Sequence, residues 1–96
     1  MKKKSIFSVF IQWLSLEEGG KHHIPKEGIY YCTTQINQSL ISSSWSLMIE
    51  IDIKNSQVAR MQFLVPDVPI EIKVGDILPL LEGHRTVAYL CIESEL

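Results

Sequence analysis

Apolar and polar residues alternate along much of this chain with a period of two, the spacing of half-buried β-strands. The pattern is clearest from Trp45 to Lys54, where every second residue, from Trp45 to Ile53, is apolar. A second alternating run, Val58 to Val65, follows after Asn55-Ser56. Two such runs around a short polar turn predict a β-hairpin whose apolar faces are both buried.

The first and last runs of the chain differ from this pattern because they are apolar on both faces. These runs are Ile6 to Leu16 and Arg85 to Glu93. A strand with two apolar faces needs cover on its outer side as well, from a loop, from the amino-terminal segment or from a partner.

The remaining segments are less regular. Ile70 to Val74 alternates and predicts a further strand, and Ile77 to Leu81 is a short apolar run whose Pro79 suits a strand edge or a bulge. The serine-rich stretch from Gln35 to Ser44 predicts a loop. Since no helical period emerges, six or seven short strands indicate an all-β barrel or sandwich.

Composition limits the protein to one small domain. A chain of 96 residues supports a single core, so we expect one domain over residues 1–96. A hydrophobic content of 46% and a charged content of 21% argue against a disordered or linker protein. The net charge of −2 argues against a general nucleic-acid binder, which usually carries a basic excess.

The cysteines and the amino terminus bear on location. Cys32 and Cys91 lie inside apolar runs, which predicts buried reduced thiols, with a disulfide only if the protein is exported. The basic start, Met1 to Lys4, imitates a secretory signal, but polar residues interrupt the apolar body and Glu17-Glu18 follows it. We therefore predict a structural first strand in a cytoplasmic protein, and no segment has the length of a membrane span.

Two glycine-bearing segments resemble a known family. Leu14 to His22 contains Glu-Glu-Gly-Gly-Lys-His, Tyr31 to Thr34 ends an aromatic strand with Thr-Thr, and Leu80 to Val87 contains Glu-Gly-His-Arg-Thr-Val. In this order they resemble the third domain of elongation factor Tu, over about Phe7 to Ile92. The resemblance implies a six-stranded antiparallel Greek-key β-barrel, here free-standing and without the GTPase domain. Glycine also has a plain structural use at tight corners, through positive φ or close backbone approach.

Candidate chemistry is sparse. The chain has no phosphate-binding Gly-x-x-x-x-Gly-Lys-Ser/Thr loop, so we predict neither GTPase activity nor a bound nucleotide or cofactor. Adjacent side chains on extended backbone point apart, and His22 and His23 have no Cys or acidic residue at ligand spacing, so no metal site is predicted. An acid or base role for His84 beside Glu82 is an alternative that lacks a nucleophile or a cleft.

The sequence thus favours a non-enzymatic binding module that presents loops or an apolar flank to a protein partner or to a second copy. A mimic or immunity-type protein is one version of this, resting on the resemblance. The alternative is an RNA- or tRNA-binding accessory protein of translation. The candidate contact residues for either function come from two loops: Lys21, His22, His23 and Lys26 in one, and Glu82, His84 and Arg85 in the other.

Overall fold

The structure, a computed structural model, describes residues 6–20, 28–38, 41–65 and 72–96. Its strands are β1 (Ile6–Trp13), β2 (Gly28–Gln38), β3 (Ile41–Asp52), β4 (Asn55–Phe63), β5 (Ile77–Glu82) and β6 (Arg85–Glu95), with a 3₁₀ turn at Leu16–Glu18. They form a closed antiparallel barrel in the order β1-β4-β3-β2-β5-β6. The predicted all-β, six-stranded antiparallel barrel is confirmed. Its Greek-key path stays a prediction, because both long connections include residues outside the described ranges.

The inward-facing side chains form one apolar core, because alternate residues of each strand point into the barrel. Leu47 and Ile49 of β3 are fully buried, and Trp45 packs against the core, as the alternating pattern predicts. The buried apolar residues are Phe7, Val9, Ile11, Cys32, Ile36, Leu47, Ile49, Ile51, Ala59, Met61, Phe63, Leu78, Leu80, Val87, Ala88, Leu90 and Ile92.

The hairpin of β3 and β4 is confirmed, but its turn lies earlier than the sequence predicts. Asp52 pairs with Asn55, so the turn residues are Ile53 and Lys54 rather than Asn55-Ser56. The Asp52 carboxylate accepts a hydrogen bond from the Lys54 N–H at 2.7 Å, which closes the turn. Ile53 is therefore 74% exposed, and its predicted place on the buried face is wrong.

The loop predicted from Gln35 to Ser44 is wrong. β2 and β3 pair continuously from Gly28 opposite Ile51 to Gln38 opposite Ile41, which leaves only residues 39–40 between them, outside the described part of the chain. The long ladder of backbone hydrogen bonds extends both strands through this polar stretch. Gln35 is exposed and Ile36 is buried, so the alternation of β2 continues into this stretch.

The strand predicted from Ile70 to Val74 is also wrong in its described part, since residues 72–74 belong to no strand. Ile72 packs against the core, but Val74 is exposed in a turn. The turn is fixed by the Gly75 N–H, which donates to the Ile92 carbonyl at 2.8 Å. This contact positions the start of β5 beside β6.

β6 is apolar on both faces in sequence because it contains a bulge. Leu80 pairs with Ala88 and Leu81 with Thr86, so Val87 is an extra residue on β6. Val87 and Ala88 are both fully buried, although they are neighbours in sequence. Because of the bulge, most apolar residues of β6 point into the barrel, and Tyr89 and Cys91 point outward.

The cysteines of the described structure are both free thiols. Cys32 is buried, as predicted, whereas Cys91 is half-buried on the outer face of β6. Within the described ranges, no helix has the length and apolar character needed to cross a membrane.

Candidate functional site

The predicted contact residues divide between described and undescribed parts of the chain. Lys21, His22, His23 and Lys26 lie outside the described residues. The other three lie on the β5–β6 hairpin: Glu82 ends β5, Arg85 begins β6, and the pair flanks the two-residue loop Gly83-His84.

The Glu82 carboxylate is bound on two sides. The Arg85 guanidinium Nη2 lies 3.8 Å from Glu82 Oε1, and the Tyr30 hydroxyl of β2 donates a hydrogen bond to Glu82 Oε2. Partial burial raises the pKa of Tyr30, and the hydrogen bond to Glu82 raises it further, so the hydroxyl stays a donor at physiological pH. Glu82 therefore links β2 to the hairpin, a structural role.

Two aromatic residues that were not predicted as site residues extend this link. The Trp13 and Tyr30 rings lie 6.4 Å apart between centroids and are tilted by 59°. Trp13 Nε1 also donates to the Ser56 carbonyl of β4 at 2.9 Å. We call Trp13, Tyr30, Glu82 and Arg85 the tip cluster. The inward alternation of β1 was a usable signal for Trp13, but no local pattern links Tyr30 to Glu82.

The seam between β2 and β5 has little backbone pairing. Thr33 opposite Leu81 is its only paired position within the described strands. Pro79 has no N–H to offer, and its carbonyl instead accepts a hydrogen bond from the Thr34 hydroxyl at 2.6 Å. The position of Pro79 at the least-bonded strand edge agrees with the sequence prediction. The seam thus depends on side chains.

A surface groove of about 390 Å³ lies beside this seam. Its described lining includes Cys32, whose side chain belongs to the core, and Glu82, but no histidine. Within the described residues, no group of three or more His, Cys, Asp or Glu side chains is placed to hold a metal ion. Among the residues that the structure describes, the groove lining therefore contains no Cys–His pair of the kind used in nucleophilic catalysis.

The first glycine-bearing segment forms a capped corner. Ser15 and Glu18 make a capping box: the Ser15 N–H donates to Glu18 Oε1 at 3.0 Å, and the Glu18 N–H donates to Ser15 Oγ at 3.3 Å. The chain then reverses at Gly19, with φ of 95°. A Cβ at Gly20 would lie 2.0 Å from the Leu14 carbonyl oxygen. Close approach therefore requires glycine at this corner.

The outer surface of β4, β1, β6 and β5 carries a continuous apolar row. Phe10 lies opposite both Val58 and Cys91, and Cys91 lies opposite Ile77. Phe10 is 39% exposed and Ile77 is 65% exposed, while Val58 and Cys91 are half-buried. At about 4.8 Å between neighbouring strands, the row spans roughly 14 Å. We call Val58, Phe10, Cys91 and Ile77 the apolar row.

The apolar row has an aromatic neighbour on one side. Tyr89 is 41% exposed and lies opposite Gln12 on β1 and Pro79 on β5. Single exposed apolar residues are common on proteins, whereas a contiguous set is typical of an interaction surface.

No family model, characterised protein or solved structure matches this chain.

Proposed function

We propose that this chain is a non-enzymatic binding module of the cytoplasm that docks a protein partner through the apolar row. The observation that carries the proposal is the continuity of the row. Its residues Val58, Phe10, Cys91 and Ile77 lie side by side at paired positions on four neighbouring strands. Burial of such a surface against another protein is favourable in proportion to the apolar area removed from water.

The resemblance to the third domain of elongation factor Tu is part of this proposal. It is supported by the six-stranded antiparallel barrel and by the two glycine-bearing segments, which lie at corners of the chain. A mimic or immunity-type role is one form that such binding would take.

The RNA alternative has less support from the described residues. Arg85 lies close to the carboxylate of Glu82, which partly offsets its charge near any phosphate. The basic residues Lys21 and Lys26 lie outside the described part of the chain. RNA binding is therefore the alternative outcome of the experiment that tests this function.

Affinity capture from native cytosol tests the function. We expect the wild-type chain to retain a stoichiometric protein, and Phe10→Glu to reduce its recovery at least tenfold. Tyr31→Glu is the matched control, because Tyr31 is an exposed aromatic residue on the outer face of β2, away from the row. Equal recovery by both variants would overturn the proposal. Recovery that disappears after nuclease treatment would favour the RNA alternative.

A further inference from the structure

We propose that the apolar row is the contact surface of a symmetric homodimer, with a twofold axis running along β1. This inference rests on the proposed function, because it names a second copy of the chain as the occupant of the same face. The charges that border the row indicate this occupant.

Two exposed residues of opposite charge lie on either side of β1, next to the row. Ser8 of β1 lies opposite Arg60 of β4. On its other side Ser8 lies opposite Ser94 of β6, and Glu93 is the extra residue of the bulge at this point. Arg60 and Glu93 are both exposed, and neither forms an ion pair with any described residue. They are separated by two strand spacings, roughly 10 Å.

A twofold axis along β1 exchanges the β4 side of one copy with the β6 side of the other. Arg60 of each copy then lies over Glu93 of the second copy, and Val58 lies over Cys91 in the same way. Phe10 lies on the axis and meets its own equivalent. Val58, Phe10 and Cys91 thus cover apolar residues of the second copy while opposite charges meet at the rim, the self-complementarity that an isologous interface requires. Ile77 lies two strands from the axis, at the edge of this contact.

The size of the face predicts a weak dimer. A standard interface has roughly 20 or more residues on each side, and the row with its rim has fewer. We therefore expect micromolar or weaker dissociation, with exchange between monomer and dimer over the accessible concentration range.

Sedimentation equilibrium of the purified chain tests the proposal. We expect a concentration-dependent dimer whose dissociation constant rises more than tenfold in Phe10→Glu. Arg60→Glu and Glu93→Arg should each weaken the dimer several-fold, because each places like charges together across the interface. The double variant, Arg60→Glu with Glu93→Arg, restores the opposite charges. Its dissociation constant should return to within about twofold of the wild-type value, since the coupling energy is recovered.

A second double variant supplies the control. Glu50 of β3 lies opposite Arg60 within the same chain. If Arg60 acted through that neighbour, Arg60→Glu with Glu50→Arg would restore the dimer and the Glu93 double variant would not, which would overturn the proposed axis. A chain that stays monomeric at all concentrations would overturn the dimer. Loss of protein capture by monomeric Phe10→Glu would then still support the proposed function, whereas a dimer without such loss would contradict it.

Discussion

At the scale of single residues, the two tryptophans pack against the same core but differ in their indole N–H groups. Trp13 donates its N–H to the Ser56 carbonyl at 2.9 Å. The Trp45 N–H is buried and has no acceptor among the described residues. A buried donor without a partner costs free energy of desolvation, while a satisfied donor contributes about 1 kcal/mol.

We therefore expect Trp13→Phe to lower the free energy of unfolding by about 1 to 2 kcal/mol more than Trp45→Phe. Both changes remove the same ring area, so the difference reports mainly on the hydrogen bond. Urea unfolding followed by far-ultraviolet circular dichroism measures both variants without relying on tryptophan fluorescence. A larger loss of stability in Trp45→Phe would contradict this expectation and show that the Trp45 N–H is hydrogen-bonded.

The Glu18 carboxylate gives a prediction about pH. Hydrogen bonds from the Ser15 backbone and then from the Ser15 hydroxyl lower the pKa of Glu18 below its ordinary value. Its ionised form therefore stabilises the folded corner. This contribution is fully present above the pKa of the unfolded chain, and it is lost as pH falls through the lowered pKa of the folded state.

Ser15→Ala removes the hydroxyl and keeps the backbone donor, so we expect the pKa of Glu18 to rise part of the way to its ordinary value. A nuclear magnetic resonance titration of the Glu18 carboxyl carbon measures the change. Ser46→Ala, at an exposed serine of β3, is the control and should leave the titration unchanged. An identical Glu18 titration in Ser15→Ala and wild type would contradict the capping box.

At the scale of elements, corners of the chain are fixed by backbone geometry. The Leu14 carbonyl that approaches Gly20 cannot move away easily, because the Leu14 N–H donates to the Val87 carbonyl at 3.0 Å. We expect Gly20→Ala to lower the free energy of unfolding by about 3 kcal/mol or more, because its Cβ would clash with backbone. Gly83 has φ of 62° and open space where an added Cβ would lie, so Gly83→Ala should lower the free energy of unfolding by about 1 to 2 kcal/mol. Chemical denaturation compares them, and an equal cost would contradict the clash.

The same elements show how far sequence patterns reach. Uninterrupted alternation identified β3 from Trp45 to Asp52 and most of β4, because side-chain direction is local and has a period of two. The pattern could not identify the extension of β2 through Ile36, since cross-strand pairing rather than apolar content holds that stretch. It also assigned Val87 and Ala88 to opposite faces, because a bulge changes the alternation without a mark in the sequence.

Some features of the candidate site could likewise be predicted from the sequence, and others could not. The sequence identified the hairpin residues Glu82 and Arg85 from their place beside a glycine turn, and it identified apolarity on both sides of β1 and β6. It could not pair Tyr30 with Glu82 or align Phe10 with Cys91, because these contacts depend on the register between strands distant in sequence.

At the scale of the whole molecule, the barrel is least strongly closed between β2 and β5. Thr33 opposite Leu81 is the single described backbone pairing of that seam, whereas β2 and β3 pair along their full length. The seam is held by side chains, above all by the Thr34 hydroxyl on the Pro79 carbonyl and by the tip cluster. Segments with few backbone hydrogen bonds open below the global free energy of unfolding.

We therefore expect native-state hydrogen exchange to show that β5 opens before the β3–β4 hairpin. Thr34 is fully buried, and Thr34→Val leaves the Pro79 carbonyl without its hydrogen-bond donor. We expect this change to lower the free energy of opening the seam by about 1 to 3 kcal/mol. Exchange in β5 should rise roughly 10- to 100-fold, while exchange in β3 and β4 changes less. Thr33→Val removes a longer, half-buried contact of 3.5 Å and should have a smaller effect. A uniform rise in all strands would instead mean that the barrel opens only by global unfolding, and that its closure does not depend on this seam.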